Sequence, residues 1–571
     1  VTNQRKMLIA IFLAATAIMF FLRSNTNFSS QLIPGTNGAY YLVQARSVLQ
    51  NGSLAFADTP LVFWLEGALA WIINLFAKNA STSATIAVKA VDSVLPSLIG
   101  LPILLLLIRK KGYHNAAFGS VIIILFITLH IYQYMLVSDL QKNALGNVLL
   151  LSSLCTFIIA TTEKKKPFYF ISLILFVLTA LTHIGCFVAG FIFIMVYYLF
   201  FALLDLKQKP KNLWYLAVSA VSVVALVIVL IMFGKSGTVT QIVNLPAKIL
   251  SNSWISNVFK SLSVPEAKVP LMEIAMLVAN HLIVLFSTLN LAKTWKTRDN
   301  SGKSTIISLI VTSLVLSSPL IGMDYAARFF LLSFIPISML MVVFVIDSSN
   351  QKNNNSIIIT ASIVALISLV SVIQFKPVPA ISEAEYKDLS SFKKACGEKH
   401  DIVVTKHGLE WWCTWVTKMP VIQQYQVEPD LWREYDDVVY LRSIVKETTN
   451  ESLMQEFQEV TIPEKSMEIY KSNYLEAFRA TIPQNDIKFG LPVAKGMIAQ
   501  CTENTLKLLT RNGEIKVIID ENTEVSDKSV IQPGNPVEVW GENRFFVTDI
   551  YATKISLDPH PMKHPEKPMR P

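Results

Sequence analysis

Runs of apolar residues long enough to cross a lipid bilayer follow one another from Met7 to Phe375, and none occurs between Lys376 and Pro571. A helical span needs about 20 mostly apolar residues, because no water is present to satisfy its backbone. A chain with this pattern therefore folds as a bundle of membrane helices carrying a water-exposed C-terminal part. Composition agrees: of 571 residues, 52% are hydrophobic and 16% charged, which excludes a soluble enzyme. The net charge of +9 sits mostly in short loops between apolar runs, where it orients spans; it does not indicate nucleic acid.

Hydropathy and the positive-inside rule give about eleven spans. The first, residues 7–22, follows Arg5 and Lys6, so the N-terminus is read as cytoplasmic. Arg23-Ser24-Asn25 is a poor cleavage site, which favours an uncleaved anchor over a signal peptide. The others are residues 84–108, 116–136, 144–162, two sharing 168–204 with a turn at Thr182-His183, then 213–233, 271–291, 305–321, 329–345 and 357–375. Leu61–Ala77 is also apolar, but if it crossed, Arg109-Lys110-Lys111 and every later basic loop would lie outside. It is read as an interfacial or re-entrant helix. Glu66 in its middle agrees, since a carboxylate is costly at the bilayer centre. The membrane part is thus 1–375. Its outer side receives a first loop at 23–83, then 137–143, the turn at His183, 234–270, 322–328 and everything after Phe375.

In the first loop, Tyr41, Leu42, Ala45, Val48 and Leu49 share one helical face, and Asn51-Gly52 supplies a stop. This is an amphipathic helix, lying on the bilayer or covering the bundle. Beyond Phe375, strand-like 401–405 and 437–441 alternate with helical 389–396, 409–415 and 431–435, the pattern of a small α/β domain with a parallel sheet at 376–490. From 491 to 558 the pattern is strand and turn, with Asn512-Gly513 and Pro533-Gly534 between alternating runs; it reads as a five- or six-stranded, OB-like barrel. The tail at 559–571 is rich in Pro and charge and reads as disordered. No spacing among the five cysteines resembles a zinc site, while an oxidised Cys396–Cys413 pair would suit an extracytoplasmic domain.

Unusual polar residues gather on the outer side. Asp139 and Lys142 are spaced to face one cleft, the alternative being a helix cap and a snorkelling lysine. Asp324 and Arg328 repeat the acid–base pattern at a later junction, where an arginine can grip a phosphate with two hydrogen bonds or merely anchor the interface. His183 suits a phosphate contact, a proton shuttle or a structural cap. Lys89 and Asp92 are three apart and could neutralise one another inside the membrane.

The layout resembles the C-type glycosyltransferase superfamily, polytopic enzymes that use polyprenyl-phosphate-linked sugar donors. The resemblance covers roughly 7–375. It rests on the long first outer loop, the Tyr40-Tyr41…Ala45-Arg46…Gly52 stretch, Asp58-Thr59-Pro60-Leu61…Trp64-Leu65, Asp139…Lys142-Asn143, Leu181-Thr182-His183, and Arg328 opening a late span. It implies a multi-pass protein of the inner (cytoplasmic) membrane that transfers a sugar, with inversion, to an extracytoplasmic lipid, glycan or protein. A carboxylate would take the acceptor proton, and Arg328, Lys142 and Arg46 or His183 would hold the donor phosphate. Tyr40 falls within the same substrate-facing stretch.

Members usually place an acid just before the Tyr-Tyr helix, where this chain has Asn37. Asn37 cannot accept a proton, though it can hydrogen-bond an acceptor hydroxyl. Another carboxylate must then serve: Asp58 first, with Glu66 and Asp139 behind it. The superfamily admits a divalent metal, but the outer loops of the membrane part hold no Asp-x-Asp, so no cofactor is required by this sequence. The Asn37 departure also favours an inactive membrane scaffold whose outer domains bind a partner protein or glycan. A lipid transporter fits less well, since no internal repeat or pair of broken helices is present.

Overall fold

The computed structural model describes residues 2–109, 117–205, 271–318, 320, 323–346, 355–396, 401–427, 435, 437–444, 460–463, 466–480, 494–502, 504–510, 513–519, 523–525, 528–543 and 550–557. The chain forms two compact units divided at Ala380/Ile381.

The first unit is an α-helical polytopic membrane fold. Among the described residues eight helical segments are long and apolar enough to cross a bilayer. They are α1 (Thr2–Phe28), the run Ala80–Arg109 made of α4 (Ala80–Val94), a 3-10 turn and α5 (Leu101–Arg109), the run Phe118–Met135 made of α6 (Ala117–Thr128) and α7 (Ile131–Met135), α8 (Gln141–Glu163), α10 (Ile184–Asp205), α11 (Leu271–Thr294), α13 (Met323–Ile346) and α14 (Asn355–Gln374). Three shorter apolar helices accompany them: α3 (Leu61–Ala77), α9 (Lys166–Thr182) and α12 (Asn300–Leu316). The span expected at 213–233 lies outside the described residues. At 17 residues each, α3, α9 and α12 are all about 25 Å long, short of a hydrocarbon core of about 30 Å, so length does not separate α3 from the expected spans at α9 and α12. One apolar core runs through the bundle, from Leu8 and Phe12 on α1 to Phe334 and Leu340 on α13.

The first loop differs from its sequence-based bounds. The α1 helix continues past Leu22 to Phe28, so Arg23 is helical and fully buried instead of opening a loop. Its side chain makes a buried ion pair with Asp92 at 2.6 Å, which explains why the helix tolerates it. Asp92 is therefore partnered by Arg23 and not by Lys89, whose Nζ donates to the Ser30 carbonyl at 2.7 Å. The loop's own helix, α2 (Gly38–Asn51), ends where Gly52 takes a left-handed conformation (φ 67°). Tyr41, Leu42, Ala45 and Val48 are all buried, and α2 packs against α3 and α4, so it covers helices of the bundle.

The second unit holds two sheets. In the first, β1 (Ile402–Thr405) pairs in parallel with β2 (Val421–Gln423) and β3 (Val438–Ser443), with α16 (Leu409–Thr417) as the crossover between β1 and β2. The antiparallel strands β4 (Ser466–Lys471) and β5 (Leu475–Ala480) complete the order β2-β1-β3-β5-β4, so the sheet is mixed, not purely parallel. The expected helix at 431–435 falls almost wholly outside the described residues. In the second sheet, β6 (Ala494–Cys501), β7 (Thr505–Thr510), β8 (Gly513–Ile518), β11 (Ile550–Leu557) and β10 (Pro536–Asn543) pair in that order. β10 also pairs with β11 and β6, which closes the ring, and β9 (Glu524–Val525) joins β11. Leu506, Leu508, Val517, Val537 and Ile555 fill its core. Cys396, at the end of α15 (Glu383–Cys396), and Cys413 on α16 are buried and unbonded. The tail at 559–571 lies outside the described residues.

Candidate active site

Three stretches of the first unit converge: the loop and helix around α2, the link from α2 to α3, and the turn that opens α8. Their polar residues form two adjacent pairs.

The first pair is Asn37 with Asp139. Asp139 Oδ1 accepts from the Asn37 backbone N at 2.5 Å and from Asn37 Nδ2 at 3.2 Å. The approach is close enough that Gly35 is obligatory: its φ is +87°, and a Cβ there would lie 2.4 Å from the Asp139 Cβ. Asp139 is not a helix cap, since the N-cap of α8 is Leu140 and makes no side-chain cap bond.

The second pair is Asp58 with Lys142. Lys142 Nζ binds Asp58 Oδ2, which also accepts from the Tyr40 hydroxyl at 2.6 Å. Thr59 N donates to Asp58 Oδ1 at 2.7 Å. Asp58 does not cap α3 either; the α3 N-cap is Pro60, with no side-chain cap bond. Gln44, one turn after Tyr40, fixes the loop: its Nε2 donates to the Tyr40 hydroxyl and the Phe56 carbonyl, both at 2.9 Å, and its Oε1 accepts from Ala55 N at 2.9 Å. Thr59 Oγ1 ties the link to the end of α9 by donating to the Thr182 carbonyl at 2.8 Å. Lys142 lies in the first turn of α8, where a cation opposes the helix dipole, and the Asp58 carboxylate offsets that cost. Its own backbone N donates to the Tyr41 hydroxyl at 3.3 Å.

Electrostatics follow from this packing. Burial raises the Asp58 carboxyl, but the charge and hydrogen bond of Lys142, then Tyr40 and Thr59, outweigh it and hold Asp58 below the ordinary carboxylate range. Burial, then the Asp58 charge, push the Tyr40 phenol well above its usual value. His183 sits between α9 and α10, where its Nδ1 accepts from Cys186 N at 3.3 Å and so caps α10. Burial first, then the charge of Lys142, hold His183 down at about 4, with Asp58 opposing and Arg328 assisting. His183 is therefore neutral and lies within electrostatic reach of Lys142, Asp58 and Arg328.

The other sequence candidates are placed differently. Glu66 is fully buried on α3, and neither of its carboxylate oxygens has a hydrogen-bond partner among the described residues. Arg46 is buried on α2, two residues on from Gln44 and hence on the opposite face from Tyr40 and Gln44. Arg328 is exposed near the start of α13, and the side chain of Asp324 lies outside the described residues. Asp139 and Lys142, expected to face one cleft, instead reach two different partners in the first loop. Sequence reasoning missed Gly35, Gln44, Thr59 and the Arg23–Asp92 pair. The signals were there: a glutamine four residues after a tyrosine, and an arginine at the end of the first apolar run away from Arg5 and Lys6. Among the described residues no group of three or more His, Cys, Asp or Glu side chains is gathered for a metal ion. An ammonium already partners Asp58, so the donor set there does not fit a divalent cation.

No family model matches the chain, and no curated protein matches its sequence. Solved structures similar to it include the oligosaccharyltransferase of Archaeoglobus fulgidus in complex with Zn and sulfate, at 13% identity and a TM-score of 0.49, covering 75% of this chain and 67% of that one. Others are ArnT from Cupriavidus metallidurans bound to undecaprenyl phosphate, at 9% identity and a TM-score of 0.42, covering 82% and 97% of the two chains, and the same protein in its apo state, at 11% identity and a TM-score of 0.35, covering 83% and 98%.

Proposed function

We propose that this protein is a membrane glycosyltransferase that moves a sugar, with inversion, from a polyprenyl-phosphate-linked donor to an extracytoplasmic lipid, glycan or protein. The resemblance in the sequence supports the class. The observation that carries the reading is the Asn37–Asp139 contact: the position that the superfamily gives to an acid is reached by a carboxylate from another loop.

Asp139 is the proton acceptor in this scheme. Asp58 stood first on sequence grounds, but its carboxylate is engaged by Lys142, Tyr40 and Thr59, and that lowers its basicity. Asn37 orients the acceptor hydroxyl and holds Asp139 toward it. The donor phosphate lies at the N-terminus of α8, where Lys142 supplies charge and the helix dipole adds to it. Arg328 and neutral His183 complete the phosphate end, in a setting where low dielectric strengthens each contact. As the sugar transfers to the acceptor oxygen, the bond to the phosphate breaks and the proton passes to Asp139. The N-terminus and basic loops are cytoplasmic in this reading, α3 is interfacial, and residues 376–571 lie outside. Separate apolar cores support treating 376–490 and 491–558 as two outer domains.

The test is transfer from polyprenyl-linked sugars by purified protein. Asp139→Asn should slow it by about a hundredfold or more, the range for losing a general base. Asp58→Asn should cost less than that. The reverse order would return the role of base to Asp58. A second reading, an inactive scaffold, is favoured by the amide at Asn37; it stands if wild type transfers nothing from any donor while its outer domains retain a partner.

A further inference from the structure

We propose that Arg23 and Asp92 are positioning residues for Asp139, acting through a strained turn at Ser138; this rests on the reading of Asp139 as the proton acceptor. Both side chains of the ion pair are fully buried. Arg23 Nε donates to the Asp92 carbonyl at 2.8 Å, one terminal nitrogen donates to the Gln133 carbonyl at 2.8 Å, and the other meets Asp92 Oδ1 at 2.6 Å. The guanidinium thus fastens α1 to α4 and to α7.

The second Asp92 oxygen is aimed at the turn. Oδ2 accepts from Ser138 N at 3.0 Å and from Asn27 Nδ2 at 2.9 Å. The Ser138 hydroxyl donates to Asn27 Oδ1 at 2.7 Å, so Ser138 is held at both its backbone and its side chain. Between these anchors its φ is 66°, a left-handed value in a residue that is not glycine. Asp139 N reaches back to the Val137 carbonyl at 2.7 Å, closing a γ-turn of the rare positive-φ kind. The carboxylate leaving this turn is the one seated on Asn37 and against Gly35.

Two costs therefore meet beside one side chain. A buried ion pair in an apolar bundle is commonly no more stable than apolar residues of the same volume. A left-handed serine is less stable than glycine would be in the same turn. The fold carries both, and what they have in common is the direction in which Asp139 points. Lys89 is bound to the Ser30 and Gln31 carbonyls, so it does not replace Arg23 as the partner of Asp92.

The experiment uses full-length protein in lipid nanodiscs and the variants Ser138→Gly and Arg23→Lys. Ser138→Gly relieves the strain and cuts the hydroxyl tether. It should melt at or above the wild-type temperature, exchange amide hydrogen faster in the segment around Asp139, and lose tenfold or more in kcat while the donor KM stays within twofold. Arg23→Lys keeps the charge but loses the fork and should show the same split between kcat and KM. If Ser138→Gly exchanges faster and keeps its kcat, or loses stability and activity together, the positioning role is overturned. If wild type transfers nothing, the function falls, and exchange alone decides: faster exchange around Asp139 in both variants supports the tether, and unchanged exchange overturns it.

Discussion

Asp139 and Asn37, far apart in sequence, share one carboxylate oxygen: Asp139 Oδ1 accepts both the backbone N–H and the side-chain amide of Asn37. If the carboxylate matters for where it sits, not for which residue bears it, exchanging the two side chains should preserve much of the chemistry. Asn37→Asp combined with Asp139→Asn should recover at least roughly tenfold of the transfer lost in Asp139→Asn alone. Equal rates in the single and double variants would show that the acid must come from the α8 side.

At the phosphate end, Arg328→Ala should weaken binding of a polyprenyl phosphate by about 1.5–3 kcal/mol, the range for a hydrogen bond to a charged group. Arg328→Lys should restore part of it, because the planar fork is lost while the charge remains. Lys142→Met should weaken the same binding. Calorimetric titration in detergent measures all three. Unchanged binding in both Arg328 variants would make that residue an interfacial anchor.

His183 gives a pH dependence of stability. Its ordinary value is 6.5, and burial with Lys142 nearby holds it at about 4 in the folded chain. Between those values the unfolded chain binds a proton and the folded chain does not, so stability is full above pH 6.5 and declines toward pH 4. His183→Asn keeps an acceptor that can cap α10 but removes the titration. Its melting temperature should fall less than that of wild type between pH 7 and pH 5. Parallel curves would mean that His183 titrates at the same value in the folded and unfolded chains, and so is not held down by its surroundings.

Topology is tested with reporters. A phosphatase fused after Phe375 should be active outside, and one fused before Arg5 should not. Activity of the first only in the cytoplasm would overturn the sidedness on which the outer site depends. Labelling of Lys78 from the cytoplasmic face would likewise make α3 a span.

Much of this was legible in the sequence where a local signal was strong. Long apolar runs marked the helices, Asn51-Gly52 marked the end of α2, and His183 marked the break between α9 and α10. The edge strand β4 carries no run of apolar positions because none of its residues is buried, while β5 is mostly buried but breaks its apolar pattern with Glu476 and Arg479. Within the site, Asp58, Asp139, Lys142, Tyr40 and Asn37 stand out in the sequence as polar residues in segments that flank apolar runs. Their pairing was not. The spacing of Asp139 and Lys142 pointed to a shared cleft, but Ser138 turns the chain just before Asp139, and the two side chains leave in different directions. Arg23 reads as loop because an isolated charge usually ends a span; only the fold shows the carboxylate that lets the helix continue past it.

The Asp58–Lys142 pair sets a threshold for what can enter. Each side chain is about one-fifth exposed, so solutes reach it, but the ammonium is already occupied. An anion arriving at Lys142 competes with a carboxylate tethered in the same molecule, which gives up no translational freedom when it binds. Chloride or a stray carboxylate, meeting Lys142 alone, has little with which to win that exchange. A ligand that brings several contacts at once can displace Asp58 from Lys142, while Tyr40 and Thr59 still hold the carboxylate in place. An exchange of this kind would favour a guest with several contacts over the single ions around it.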